Sequence, residues 1–219
     1  MAGSSRGDGA SQGAGIESGR DLDRVVFFSD AVFAIAMTLL ALSLRLPSTT
    51  TDRGVGRALQ DAVPSIYSYA LSFAIIALYW LAHHRMFRYI CRLDVVLLVL
   101  NLATLGLVAF VPFPTSVLGE HGNTTAAVVF YASTIAILGG LMSALWGYAS
   151  HDYHLILPDT PTRFVRHSLW RSLAVPAVFA ASIPIAFASP SAAEWFWLTI
   201  VPVRLVLRRR YGSIYRPDE

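Results

Sequence analysis

The chain has no lysine, a single cysteine and little charge of either sign: 14% of its 219 residues are charged. A soluble domain carries charge on about a quarter of its residues. What charge there is lies clustered, leaving apolar runs of about 20 residues, long enough to cross a bilayer. Composition therefore excludes an ordinary soluble protein. Cys91 has no intramolecular partner, so disulfides do not hold the fold together. All 17 basic residues are arginine, a bias that fits genome composition better than any mechanism. The first twenty residues lack the apolar core of a secretion signal, are rich in Gly, Ser and Ala, and read as a disordered tail. Loops are short, and no paired His/Asp/Glu or Ser/His/Asp set lies within the apolar runs, so no catalytic residue and no enzyme is expected. A secondary transporter is disfavoured because neither an inverted repeat nor a broken helix pair is visible.

Hydrophobic residues make up 55% of the chain and gather into six segments: Val25–Leu46, Ala62–Ala82, Val95–Leu118, Thr124–Ala149, Ser168–Ala188 and Ala192–Leu207. The first, at 22 residues, reaches about 33 Å as a helix, enough for the hydrocarbon core. The sixth is short and carries Pro202. Arginine-rich loops stay on the cytoplasmic side. With a cytoplasmic N-terminus and six spans, fourteen of the 17 arginines fall inside, and only Arg45, Arg53 and Arg57 fall outside. The expectation is an all-α integral membrane protein of six transmembrane helices over residues 21–211. Cytoplasmic tails would cover 1–20 and 212–219, and the chain would sit as a multi-pass protein in the cell membrane. Trp195 and Trp197 suit an interfacial aromatic belt. Ala132, Ala136, Gly140 and Ala144 recur every fourth residue, a stripe that lets helices approach closely.

The first span is the most informative. Asp30 is an acid inside an apolar segment, costly in lipid, so it should face the protein and find partners. Ser29 adds a second polar group. Arg24 sits near the inner interface, where it can snorkel or pair. Trp80 and His84 on the second span and Asn101 on the third have matching chemistry, since an indole donates, and imidazole and amide both donate and accept. On residues alone, Asp30 is either part of a structural network or a titrating proton or ion site. Ile35, Leu39 and Leu42, spaced by four and three, share one helix face. Repeated around a symmetry axis they would form apolar rings able to gate by dewetting. The same spacing suits plain packing or lipid contact. Thr38 either offers its hydroxyl to a pathway or bonds back to its own helix.

Arg24, Phe28, Ser29 and Asp30 fall in a run that resembles the Arg-x-x-x-Phe-Ser-Asp motif of the transmembrane protein 175 family of potassium channels. The similarity continues through Tyr69, Ser72, Phe73, Trp80, His83, His84 and Phe87, then Asn101-Leu102 and Pro112-Phe113-Pro114-Thr115, covering Arg24 through Leu118. The resemblance implies a bacterial six-helix subunit that assembles as a homotetramer around a central pore lined by the first helix. It implies a passive, potassium-preferring channel with no cofactor, whose permeant ions are potassium and other monovalent cations. Such channels lack the carbonyl-lined filter of the usual potassium channels, and no Thr-Val-Gly-Tyr-Gly-like segment occurs here. Under the resemblance, Ile35, Leu39 and Leu42 narrow the pore, with Thr38 beside the constriction. Arg24, Phe28, Ser29, Asp30, Trp80, His84 and Asn101 form the network that holds the first helix.

Other constellations have simpler readings. His83 and His84 are adjacent and point about 100° apart on a helix, which does not suit one metal. His151 and His154 are better spaced but lack a third ligand, so no metal site is expected. Arg208, Arg209 and Arg210 directly follow a span, where orientation and anionic lipid explain them without nucleic acid. Ser65, Ser68, Ser72, Tyr79 and His83 form a polar stripe on the second span that packs against other helices or wets a pathway.

Overall fold

In lipid, a helix satisfies every backbone N–H and C=O within its own segment, so long apolar runs become helices. The computed structural model describes residues 8–44 and 51–200. Its helices are α1 (Asp8–Leu39), α2 (Asp52–Asp61), α3 (Val63–Phe87), α4 (Val95–Phe110), α5 (Pro112–His121), α6 (Thr125–Ser150), α7 (Thr162–Ala188) and α8 (Pro190–Trp197). The only β feature among the described residues is one antiparallel bridge, Ile90 to Ile156.

Five stretches are long and apolar enough to span a membrane: Arg20–Ser43, Val63–Phe87, Val95–His121, Thr125–Tyr153 and Thr162–Ala188. Six were expected. Of the sixth, the described part is the short helix α8, and residues 201–219, with Pro202, Arg204, Arg208–Arg210 and the 212–219 tail, lie outside the described residues. Arg45 lies outside them too. At the other end, α1 runs back to Asp8, into the segment read as a disordered tail. Extending a formed helix costs less than nucleating a new one, which is how a weakly apolar segment joins it. The third span is interrupted at Val111, between α4 and α5. Pro112 and Pro114 there lack the N–H that continues a helix. Thr115 donates its hydroxyl to the Val111 carbonyl at 2.8 Å, at the break.

Helix α6 is central. In its most apolar stretch 56% of residues are buried, against 22% for α1, which lies at the periphery against α3 and α4. A close approach to α6 comes at Gly139, beside the stripe's Gly140, while Ala132 of the stripe is fully buried. A methyl group built there would lie 2.5 Å from Tyr79 Oη and 2.7 Å from Pro176, whereas one at Gly140 meets nothing within 4 Å. Trp197 is also not in an interfacial belt: it is 1% exposed, and its indole N–H donates to Ser182 Oγ at 2.8 Å. Trp195, two residues earlier, is 73% exposed.

One end of the bundle is closed by backbone bonds between loops. Cys91 N–H donates to Leu155 O, and Leu157 N–H to Tyr89 O, each at 2.9 Å. This end carries Arg85, Arg88, Arg92, Arg163 and Arg166. It also carries Arg20 and Arg24, because α1 at Ser29 and Asp30 pairs with Asn101 near the start of α4 and Trp80 toward the end of α3.

Candidate functional site

The phase of α1 is set by Ser29, Phe33, Ala36 and Leu40, all at most 1% exposed and spaced by four, three and four. That is one helix face turned into the bundle. The polar member of this face anchors a chain of donors. Asn101 Nδ2 donates to Ser29 Oγ at 3.0 Å, and Ser29 Oγ–H donates to its own helix at Val25 O, 2.7 Å. The amide oxygen of Asn101 then faces His83 Nε2 at 2.8 Å. Because an amide oxygen only accepts, His83 carries its proton on Nε2. Its Nδ1 has no hydrogen-bond partner among the described residues, and the ring stacks on Phe87 at 4.3 Å. Beside this chain, Trp80 Nε1–H donates to Asp30 Oδ1 at 2.8 Å, the one hydrogen bond Asp30 makes among the described residues.

The expected network thus comes together at Ser29, Asp30, Trp80 and Asn101, but not at every position. His84 is exposed and contacts the Trp80 ring at 5.7 Å, with no bond to α1 or α4. His83, one position earlier, takes the place expected for His84. The polar stripe on the second span had already put His83 in line with Ser72 and Tyr79. Arg24 is exposed and makes no ion pair among the described residues. Phe28 is exposed as well.

Two further stripe residues, Ser72 and Tyr79, are engaged inside the bundle. Ser72 Oγ lies 2.9 Å from Tyr131 Oη and 2.8 Å from Thr115 Oγ1. Tyr79 Oη donates to Ile135 O at 3.2 Å. Ser68 bonds back to Pro64 O of its own helix at 2.9 Å, so Ser72, Tyr79 and His83 are the stripe members whose bonds to neighbouring helices read as packing.

The opposite face of α1 is open. Ile35 is 56% exposed, Leu39 39% and Leu42 64%. Between Leu39 and Leu42 the helix tightens to a 3₁₀ turn over Leu40–Ser43. Three residues per turn keep these two on one face. Thr38 is exposed but donates its hydroxyl to Ile35 O at 2.7 Å, so its proton is held by its own helix. The exposed edge of the hydroxyl still presents an acceptor lone pair. Among the described residues no three His, Cys, Asp or Glu side chains gather as for a metal. His151 lies in a tight turn beyond α6 and pairs only with the neighbouring Asp152, at 3.3 Å.

Residues 24–112 match the family model described as the endosomal/lysosomal potassium channel TMEM175. A potassium channel of Streptomyces collinus is 37% identical over 179 residues, covering 76% of this chain and 86% of that protein. A potassium channel of Chamaesiphon minutus is 37% identical over 132 residues, and the chain spans 65% of its length. The human endosomal/lysosomal proton channel TMEM175 is 28% identical over 167 residues, and the chain spans only 33% of it. Among solved structures, a lysosomal potassium-selective TMEM175 homologue from Chamaesiphon minutus superposes with a TM-score of 0.74 at 28% identity, covering 86% of this chain and 98% of that one.

Proposed function

The chain belongs to the TMEM175 family of cation channels, a multi-pass membrane protein and not an enzyme, and on that premise we propose that it is a passive, potassium-preferring channel whose pore is lined by α1. In this reading both termini are cytoplasmic, a bacterial plasma membrane houses the protein, and four copies enclose the path. The observation that carries it is the split of α1 into two faces. One face is fixed to α3 and α4 by the Ser29–Asn101–His83 chain. The other leaves Ile35, Leu39 and Leu42 uncovered in a single subunit. A symmetric assembly that closes on this face turns each residue into a ring, and apolar constrictions control passage by dewetting. The sharing of seven arginines by one end of the bundle supports the orientation, since that end is the one the positive-inside rule keeps cytoplasmic.

The test is reconstitution into planar bilayers with reversal potentials measured under potassium, sodium and proton gradients, because the human relative is named a proton channel. Single-channel steps that reverse nearer the potassium potential than the sodium potential are expected. Leu39→Ala removes bulk from the middle of the three rings and should raise unitary conductance. Saturable flux without unitary steps would defeat the channel reading. Unchanged conductance in an assembled Leu39→Ala protein would defeat the pore assignment alone.

A further inference from the structure

Helices α3 and α7 both flank α6, and they close on it at Gly139, where Tyr79 and Pro176 leave no room for a methyl group. Nearer the arginine-rich end they stand apart, and Met142, one turn along α6, floors a cavity of about 60 Å³ between them. Ala82 and Met86 form one wall and Phe164 and Val175 the other. From Leu78 to Arg85 the α3 wall runs seven residues, about 10 Å along the membrane normal. One wet water needs only ~10–15 Å³ of such space, so the cavity is several times larger than a single trapped water requires.

Its mouth is chemically specific. Among the described residues, Arg85 is the only charged one in the lining; it is exposed and makes no ion pair. Ser168 lines the same opening and makes no hydrogen bond among the described residues, while Ser172 below it is already engaged by Ser143 at 3.0 Å. A free guanidinium beside a free hydroxyl, at interfacial depth and above an apolar slot, matches a phosphate with a hydrocarbon tail. A cation is repelled by Arg85, and a zwitterionic lipid brings its phosphate only with an attached cation that Arg85 also repels.

We propose that this groove is a binding site for an anionic phospholipid, its phosphate on Arg85 and Ser168 and its first methylenes between Ala82, Met86 and Phe164. The site does not depend on the channel reading. Its assignment to the inner leaflet, where anionic lipids concentrate, does rest on the cytoplasmic placement of that end.

The test is native mass spectrometry of the intact, delipidated protein incubated with an equimolar mixture of phosphatidylglycerol and phosphatidylcholine, with inorganic phosphate alone as a separate arm. The wild type should retain phosphatidylglycerol over phosphatidylcholine by about fivefold, the weight of one interfacial arginine. Arg85→Gln should bring that ratio close to one. Ser168→Phe, which fills the slot and keeps the charge, should abolish the preference as well. Equal retention of the two lipids by the wild type overturns the site. An undiminished preference in Ser168→Phe overturns it too, since Arg85 would then act only on surrounding lipid. Retention of inorganic phosphate without a lipid preference would assign the mouth to a free ion and defeat the lipid proposal.

Discussion

Asn101 uses both ends of its amide on buried partners, taking the proton of His83 and giving one to Ser29. Replacing it with leucine leaves the His83 N–H buried without an acceptor, a loss of about 1–3 kcal/mol for a buried unsatisfied donor. The melting temperature of detergent-solubilised Asn101→Leu, followed by tryptophan fluorescence, should fall accordingly. Asp30 is a milder case. Its bond comes from the Trp80 indole to Oδ1, and an asparagine keeps that oxygen, so Asp30→Asn should melt close to wild type. Trp80→Phe, which removes the donor, should cost about 1 kcal/mol. Because Asp30→Asn preserves the bond, any change it makes in the pH dependence of current reports the charge alone and would make Asp30 an ion or proton site. Much of this cluster is legible in the sequence, because a carboxylate, an indole and an amide within apolar runs have few ways to be satisfied. The choice between His83 and His84 is harder to read. Adjacent polar residues differ by about 100° of helix phase, and only the partner helix decides which one faces inward.

Helix-level features are legible to different degrees. Hydropathy reveals the spans because it integrates over about 20 residues, but it averages over the break at Val111, which one proline-rich turn decides. The fourfold stripe Ala132, Ala136, Gly140 and Ala144 signals close packing, and Ala132 is buried, but it passes over Gly139, where the contact is fixed by Tyr79 and Pro176 on other helices. Two substitutions separate these readings. Gly139→Ala forces atoms together at 2.5–2.7 Å, an overpacking of about 1–3 kcal/mol. Gly140→Ala enters open space and should leave the melting temperature unchanged or slightly raised. A second helix-level test lies at the start of α4, where Asp94 caps the helix by accepting from Leu97 N–H at 2.7 Å and also takes the Tyr148 hydroxyl at 2.6 Å. Burial favours the neutral acid, but these two bonds and nearby His154 outweigh it and hold the carboxyl below its usual range. A depressed value adds stability above the unfolded pKa, about 4, which is lost as pH falls through the lower folded value. Asp94→Ala should therefore melt below wild type at pH 7, by about 1 kcal/mol for the lost cap. The gap should close as the pH drops below about 4, measured on both proteins across one acid titration.

At the scale of the whole molecule, the unusual feature is a helix bonded firmly on one side and bare on the other. An apolar face open in one subunit is ordinary for a membrane protein, since lipid covers it as well as protein does. Sequence pattern alone therefore does not distinguish Ile35, Leu39 and Leu42 from lipid-facing residues. What separates a pore from a lipid face is access by water-borne charge, and that is measurable. With the exposed Cys91 changed to serine, a cysteine at Leu42 should be reached by a charged, membrane-impermeant thiol reagent and the current should fall as it reacts. A cysteine at Ala36, on the inward face and 1% exposed, should leave the current unchanged under the same treatment. A Phe27→Cys protein supplies the comparison nearer the arginine-rich end of the same helix, where exposure is 72% in the single subunit but the side chain lies outside the Ile35–Leu39–Leu42 line. If Leu42→Cys reacts no faster than Phe27→Cys, and without loss of current, the open face of α1 looks onto lipid and the pore must be sought on another helix. If Leu42→Cys alone couples reaction to loss of current, the bare face of α1 lines the path of the ions.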